Sequence, residues 1–138
     1  MNTTAALLNQ YWTDIYYRLH YRHKEKVTHQ VVRILQLVEK QESVGINEIA
    51  SYLKVSHNTA SEHVKRIIEK NYLIKKRDTV DERKVILCLT DCGKEVLHQN
   101  TSLDEQKLND ILNELSTDEQ RLIEHAFRIL SESTKKCI

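Results

Sequence analysis

The sequence contains no proline and only two glycines among its 138 residues. Because glycine-rich phosphate loops need several glycines close together, the distant Gly45 and Gly93 exclude a nucleotide site of that kind. The cysteines, Cys88, Cys92 and Cys137, form a sparse and odd-numbered set, which excludes a disulfide scaffold and predicts a reducing, cytoplasmic location. No apolar run approaches the roughly 20 residues that a membrane-spanning helix needs, so we expect no membrane partner.

The net charge is also small, at +1, but the charge is unevenly distributed along the chain. Residues 54–84 carry nine Lys and Arg against five Asp and Glu, a net charge of +4. Residues 101–138 carry five against eight, a net charge of −3. Since a local basic face is what meets a phosphate backbone, the central segment is compatible with a nucleic-acid partner.

Apolar residues recur with helical spacing through most of the chain. The spacing predicts a first helix up to about His23 and a second over about 28–41. It also predicts a short third helix capped by Gly45, and a fourth that begins after the N-cap Ser56 and ends near Asn71. In this fourth helix Ala60, Val64, Ile67 and Ile68 are predicted to face the core.

The pattern changes after the fourth helix. Residues 73–77 and 83–89 are rich in strand formers and flank the polar segment 78–82, which predicts a two-stranded hairpin with a charged tip. Thr90 and Asp91 are predicted to begin one long helix. The capping box at Ser116 is predicted to begin a last helix. The apolar residues of that last helix are expected to point inward: Leu122, Ile123, Ala126, Phe127, Ile129 and Leu130.

These elements predict a mainly α fold with a small β-hairpin wing, of the α+β class. The third and fourth helices form a helix-turn-helix, and the basic hairpin that follows makes it a winged one. We predict a single domain over 1–138, with a winged core at about 28–97 and flanking dimerisation helices at about 1–26 and 98–138. The apolar C-terminal helices have little core of their own, which favours burial against a second copy in a homodimer.

Residues 81–93 resemble the wing signature of the MarR family of winged helix-turn-helix transcription regulators. They contain a D-x-R motif, a β run, a Leu-Thr pair and a glycine three residues after the threonine. Residues 46–53 and 55–61 are similar to the two motif helices of that family, although Asn71 stands where the family usually has glycine. The resemblance implies a sequence-specific regulator, and because the sequence contains no discernible nucleophile–base constellation we expect neither enzymatic activity nor a cofactor. The resemblance also implies a homodimer that binds a pseudo-palindromic double-stranded DNA operator and usually represses transcription.

The fourth helix would then lie in the major groove and the wing in the minor groove. Asn58 could bond an adenine and Thr59 could touch a thymine methyl, while Arg83 at the wing tip suits a narrow minor groove. The resemblance implies that Asp81 orients the basic side chains of the wing. The candidate DNA-binding residues are Ser56, His57, Asn58, Thr59, Ser61, Glu62, Lys65, Arg66, Lys75, Lys76, Arg77, Asp81, Arg83 and Lys84.

Each of these assignments has a simpler alternative. Thr59 and Ser61 can serve only to begin the helix, and Asp81 with Arg83 can be a surface ion pair that stabilises little. The lysine run of the wing can be an ordinary solvated face. For Arg83 the resemblance favours DNA contact.

Five of the eight aromatic residues lie between Tyr11 and Tyr21. Because members of the resembled family often bind small molecules near their dimer helices, these residues predict a site for a small aromatic effector. The candidate lining residues are Trp12, Tyr16, Tyr17, Arg18 and His20. An aromatic stripe with helical spacing is also typical of a dimer core, which is the interpretation that we favour.

Two other functions are compatible with the same scaffold. A winged helix can bind protein instead of DNA. A redox or metal switch is the other alternative, but peroxide-sensing relatives place a cysteine in the first helix and this chain has none there. Cys88 and Cys92 are predicted to be ordinary small residues. His20, His23 and His29 are close in sequence but lack a recognised zinc motif, so we expect no metal.

Overall fold

The computed structural model describes residues 3–22 and 26–137 and consists of α-helices with one antiparallel β-hairpin. The elements in chain order are α1 (Thr4–Leu19), α2 (His29–Lys40), α3 (Ile46–Leu53), α4 (His57–Glu69), β1 (Leu73–Arg77), β2 (Val85–Leu89), α5 (Asp91–Thr101), α6 (Glu105–Asn113) and α7 (Thr117–Ser133), followed by a 3-10 turn (Thr134–Cys137). The predicted fold class, mainly α with a β-hairpin wing, is confirmed. None of the described helices is both long and apolar enough to cross a membrane.

The chain divides into two compact units. The winged unit spans residues 21–102 and contains α2 to α5 with the hairpin. The helical unit combines residues 1–20 with residues 103–138 and contains α1, α6 and α7. The winged core predicted at about 28–97 lies inside the first unit. That the whole chain forms one domain with dimerisation helices stays a prediction.

The core of the winged unit receives one apolar face from each of its elements. Burial of one Leu, Ile or Val side chain stabilises a fold by about 1.5–3 kcal/mol. The cluster of buried apolar side chains in this core is therefore the main stabilising feature of the winged unit. Ala60, Val64 and Ile67 of α4 are buried as predicted, and Ile68 is partly buried. The most deeply buried side chains of the cluster are Ile34, Leu35, Ile49, Val64, Ile67, Leu73 and Leu97.

Short polar side chains fix the helix starts. The Ser56 hydroxyl accepts the Thr59 N–H (3.1 Å) at the start of α4, and the Ser116 hydroxyl accepts the Glu119 N–H (3.1 Å) at the start of α7. Both predicted N-caps are therefore confirmed, as is Gly45 before α3. The backbone N–H and the hydroxyl of Ser116 hydrogen-bond to the Glu119 carboxylate and hold its pKa below the ordinary value.

Three predicted boundaries are wrong. Helix α1 ends at Leu19, before the predicted end at His23, which lies outside the described residues. Strand β2 begins at Val85 because Arg83 and Lys84 belong to the turn, where the Lys84 N–H donates to the Asp81 carbonyl (2.9 Å).

The third wrong prediction concerns the segment after the hairpin. One long helix was predicted there, but the structure has two helices, α5 and α6. The Asn100 and Thr101 side chains donate to the carbonyls of Val96 and Leu97, a local pattern that competes with continued helix. Asp104 then accepts the N–H groups of Gln106 (3.0 Å) and Lys107 (3.3 Å) and begins α6 as its N-cap. The capping signal of Asp104 was present in the sequence, but the uninterrupted apolar spacing outweighed it.

The inward orientation predicted for the apolar residues of α7 is wrong within a single chain. Leu122, Phe127, Ile129 and Leu130 are exposed, with Leu122 retaining 68% of its accessible surface, and Ala126 is exposed as well. Only Ile123 of the set is half-buried. The helical unit contains α1 and α6 besides α7, and these two helices cover one side of α7 at most.

The Thr-x-x-Gly motif at the start of α5, Thr90 to Gly93, requires its glycine for a steric reason. The Thr90 hydroxyl donates to the Asn71 carbonyl (2.6 Å) and accepts the Gly93 N–H (2.9 Å), while the Thr90 N–H donates to the Tyr72 carbonyl (3.1 Å). These bonds draw Gly93 so close to Tyr72 that a Cβ atom at Gly93 would overlap the Tyr72 carbonyl. Asn71 adopts the left-handed conformation (φ 66°), as its position in place of a glycine predicted.

We therefore expect Gly93→Ala to lower the free energy of unfolding by about 1–3 kcal/mol, because the backbone of Tyr72 must move to admit one methyl group. Urea denaturation followed by circular dichroism measures this change. Ser102→Ala, at the end of the same helix, is the matched control. A Gly93→Ala protein as stable as the wild type would contradict the close approach.

Candidate nucleic-acid interface

Helix α4 presents a polar outer face opposite its buried one. The turn before it is formed by Lys54, whose left-handed backbone (φ 57°) ends α3, and by Ser56, which caps α4. Among the predicted DNA-contacting residues of this helix, Ser61 is half-buried. The others are exposed: His57, Asn58, Thr59, Glu62, Lys65 and Arg66. The structure thus brings the candidates together on one accessible surface.

Two of the hydroxyl groups on this face already have local partners. Besides capping the Thr59 N–H, the Ser56 hydroxyl donates to the Thr59 hydroxyl (2.9 Å). The Thr59 hydroxyl therefore has a partner at the start of the helix, as the alternative interpretation of Thr59 expects, whereas a role of Ser61 stays a prediction. Any contact of Thr59 with a thymine would use its methyl group.

The wing tip is folded by its own polar groups around Asp78, whose side chain is buried. Its Oδ1 accepts the Val80 N–H (3.0 Å) and its Oδ2 accepts the Ser43 hydroxyl (3.2 Å). The Asp78 N–H donates to the Lys84 carbonyl (2.9 Å), which closes the hairpin. The Leu87 N–H donates to the Val44 carbonyl (2.8 Å), so the segment before α3 flanks β2. The tip is thus tied to the rest of the winged unit.

Arg83 projects from this tip with 92% of its side-chain surface accessible. Both its backbone N–H and its Nε donate to Asp81 Oδ1, at 3.1 and 3.2 Å. A pair this exposed contributes little to the free energy of unfolding. The two hydrogen bonds join Asp81 to Arg83, and an orienting role of Asp81 in DNA binding stays a prediction.

The lysine run of β1 is divided between two faces of the hairpin. The strand register pairs Lys75 with Leu87 and Lys76 with Ile86, and neighbouring residues of a strand point to opposite faces. Lys75 lines a groove beside α4 with Ser61 and Lys65. Lys76 lines another depression, whose wall also contains the acidic Glu39 and Glu42 and the basic Lys94.

Arg77, the last residue of β1, donates from Nη1 to the Glu82 carbonyl (3.2 Å). The basic candidates of the wing are therefore not one continuous patch. Lys75 and Lys84 lie next to α3 and α4, and Arg83 lies at the tip. A phosphate contact by Lys76 stays a prediction, and the acidic neighbours do not favour it.

A pocket of about 380 Å³, here called the clamp pocket, lies between the start of α3, the start of α4 and the hairpin. Its polar lining consists of Asn47, Glu48, His57, Lys75 and Lys84. His57 donates from Nδ1 to Asn47 Oδ1 (2.9 Å). Glu48 Oε1 accepts the Gly45 N–H (2.7 Å) and lies 3.6 Å from Lys84 Nζ.

Asn47 and Glu48 were not among the candidate residues from sequence. The Gly45-x-x-Glu48 spacing of a capping box was the available signal for Glu48, but a glycine N-cap conceals it. No sequence pattern indicates that Asn47 meets His57, since ten residues and a turn separate them.

The predicted effector residues lie on and just after α1. The Trp12 and Tyr16 rings are 6.2 Å apart, and Tyr16 stacks on His20 at 5.1 Å. Tyr17 is 77% exposed, and Arg18 is exposed too.

The helical unit has an apolar cavity of about 540 Å³, but none of the five predicted effector residues lines it. It is lined instead by Ile15, Leu19, Leu103, Leu108, Ile111, Leu112, Leu115, Gln120, Ile123, Glu124 and Phe127.

Within residues 3–22 and 26–137, no three His, Cys, Asp or Glu side chains are placed to share a metal ion. His23, one of the histidines considered from sequence, lies outside that part of the chain. Cys92 and Cys137 are exposed thiols and Cys88 is half-buried on β2.

Comparison with known proteins gives concordant results. A sequence model of the family described as "Transcriptional regulator SarA/Rot" matches residues 20–100, more than half of the chain. The HTH-type transcriptional regulator SarZ of Staphylococcus epidermidis is 23% identical over 105 residues, which are 76% of this chain and 70% of SarZ.

Solved structures share the fold. S. aureus MepR bound to ethidium bromide is 18% identical, with a TM-score of 0.59 over 97% of this chain and 98% of MepR. Transcriptional regulator Tm0710 from Thermotoga maritima is 24% identical, with a TM-score of 0.58 over 80% of this chain and 78% of its own. At these identities the likeness establishes the winged-helix fold.

Proposed function

Because the chain belongs to the SarA/Rot family of transcriptional regulators, whose winged helix is of the MarR type, we propose that it is a homodimeric repressor that binds a pseudo-palindromic DNA operator. The observation that carries this proposal is the accessible polar face of α4 beside a basic wing whose tip holds Arg83 outward. In this proposal α4 reads the major groove and Arg83 enters the minor groove.

The two-fold symmetry of the proposal is supported by the helical unit. Apolar residues of α7 and Tyr11 and Trp12 of α1 are exposed in the single chain, and apolar surface of this extent is typical of interaction sites. A second copy that covered this surface would give the dimer two α4 helices, and dimeric helix-turn-helix proteins bind half-sites about 10 base pairs apart. In a dimer, therefore, the second copy would cover the apolar surface, and the exposed face of each α4 would remain available for DNA.

Effector control concerns the aromatic residues of α1. MepR, which shares the fold, is bound to ethidium bromide in its solved structure. The dimer-core interpretation of the α1 aromatic residues is the one we favour. The alternative is a small aromatic effector near Trp12, Tyr16, Tyr17, Arg18 and His20, which would change the population of the DNA-competent dimer. A regulator of this kind acts where the chromosome is, so the proposal includes a cytoplasmic location.

The test is binding to the DNA directly upstream of the protein's own gene, since regulators commonly control themselves. Fluorescence anisotropy at several salt concentrations would compare this duplex with a scrambled one of the same composition. We expect the native duplex to bind roughly a thousandfold more tightly or better, with affinity that falls steeply with salt. Equal and weak binding to both, extended to a genomic library of duplexes, would contradict the proposal and favour a winged helix that binds protein.

A further inference from the structure

The clamp pocket lies between the two elements that the proposed function assigns to DNA. Its walls include His57, the first residue of α4, and Lys75 and Lys84 of the wing. A duplex that received α4 in one groove and the wing tip in the next would carry its backbone across the space between them. The pocket therefore lies where a phosphate of that strand would pass.

The chemistry of the pocket suits a single phosphodiester group. Two lysines line it from different segments, Lys75 from β1 and Lys84 from the turn before β2, and the Asn47 side chain hydrogen-bonds to the His57 ring. A lysine ammonium is a compact charge that binds phosphate without a fixed orientation. A volume of about 380 Å³ leaves space for the phosphate together with several water molecules.

Two features of the lining oppose an anion: the carboxylate of Glu48, and the apolar side chains of Ile46, Val85 and Leu87. Lys84 Nζ lies 3.6 Å from Glu48 Oε1, and both side chains are about 40% exposed. An ion pair this exposed is weak, so Lys84 can exchange the carboxylate for a phosphate at little cost. The carboxylate stays near the site because it also accepts the Gly45 N–H at 2.7 Å.

We propose that the clamp pocket holds one backbone phosphate of the bound duplex through Lys75 and Lys84, and that Glu48 is a built-in counter-anion that lowers this affinity. The inference rests on the proposed function, because the phosphate is part of the DNA. It adds a residue whose removal strengthens binding. A regulator that must leave its operator benefits from such a residue, since Glu48 replaces the departing phosphate beside Lys84.

The experiment measures duplex affinity against salt concentration for the full chain and three variants. Lys75→Gln is expected to weaken binding about 5- to 20-fold on native and scrambled duplexes alike and to reduce the salt slope by about one, as the loss of one phosphate contact does. Lys94→Gln, on the exposed side of α5, removes the same charge and is expected to leave affinity within about twofold.

Glu48→Gln is the decisive variant, because its expected effect has the opposite sign. The amide oxygen can still accept the Gly45 N–H, so the start of α3 is retained, but the negative charge is gone. We expect affinity to rise about 3- to 10-fold on both duplexes, whereas a purely structural residue would lower affinity when replaced. Thermal unfolding followed by circular dichroism confirms that each variant is folded.

The outcomes separate the two proposals. A wild-type chain that binds no duplex overturns the proposed function and this inference with it. A wild-type chain that binds its operator, with Lys75→Gln and Glu48→Gln unchanged in affinity and salt slope, overturns the inference alone. Saturable binding of inorganic phosphate that Lys75→Gln abolishes, while the same variant binds the duplex as tightly as the wild type, would overturn the assignment of the pocket to the duplex.

Discussion

Replacement of Arg83 by alanine is expected to weaken operator binding by about 1–3 kcal/mol, or roughly 5- to 150-fold. The side chain is 92% accessible and makes its hydrogen bonds to Asp81, so its removal should leave the fold intact. The loss therefore reports a contact with DNA and not with the protein. Anisotropy titrations on the native duplex, with circular dichroism as a check of folding, measure it.

Arg83→Lys separates two reasons for such a loss. A lysine keeps the charge but lacks the planar guanidinium that narrow minor grooves attract, so we expect it to recover only part of the affinity. If Arg83→Ala binds the operator as tightly as the wild type, the wing tip has no role in DNA binding. If lysine restores the full affinity, the contact is with a phosphate and not with the groove.

The second large effect is expected from Leu122→Asp on the exposed apolar side of α7. Leu122 keeps 68% of its accessible surface in the single chain, and Leu130, two turns later, keeps 55%. A charge buried in a dimer interface without a partner costs several kcal/mol, so we expect dissociation to monomers. Since two linked half-site contacts gain about 10²- to 10⁴-fold over one, operator affinity should fall by at least about 100-fold.

Light scattering after size-exclusion chromatography measures the mass, and anisotropy measures the affinity. Ser131→Asp adds the same charge on the side of α7 opposite Leu122 and should leave both quantities unchanged. A dimeric Leu122→Asp protein would show that the partner covers a different surface. A wild-type chain that is monomeric at micromolar concentration would remove the homodimer from the proposal.

The fold was predictable because its signals are local. The caps Ser56 and Ser116 and the apolar spacing of α4 each act within a few residues, and all were confirmed. The resemblance to the MarR family, carried by the wing signature at residues 81–93, is confirmed as well. The division of the long helix after the hairpin was not predicted, because Asp104 competes with an apolar pattern that continues past it.

The site was less predictable because it depends on which segments meet. Strand alternation alone would have separated Lys75 from Lys76, since adjacent residues of a strand face opposite ways. The meeting of Glu48 with Lys84 could not be predicted, since it requires the hairpin to fold back onto the start of α3. The burial of Asp78 likewise depends on Ser43, which is 35 residues away.

The bonds that join the wing to the segment before α3 also affect how the protein unfolds. A two-stranded hairpin alone is only marginally stable in water, but here β2 donates to the Val44 carbonyl and Asp78 accepts from Ser43. We therefore expect the wing to unfold together with α2 and α3 and not by local opening alone. A substitution in the short loop between α2 and α3, far along the chain from Arg83, should then reduce the order of the wing tip.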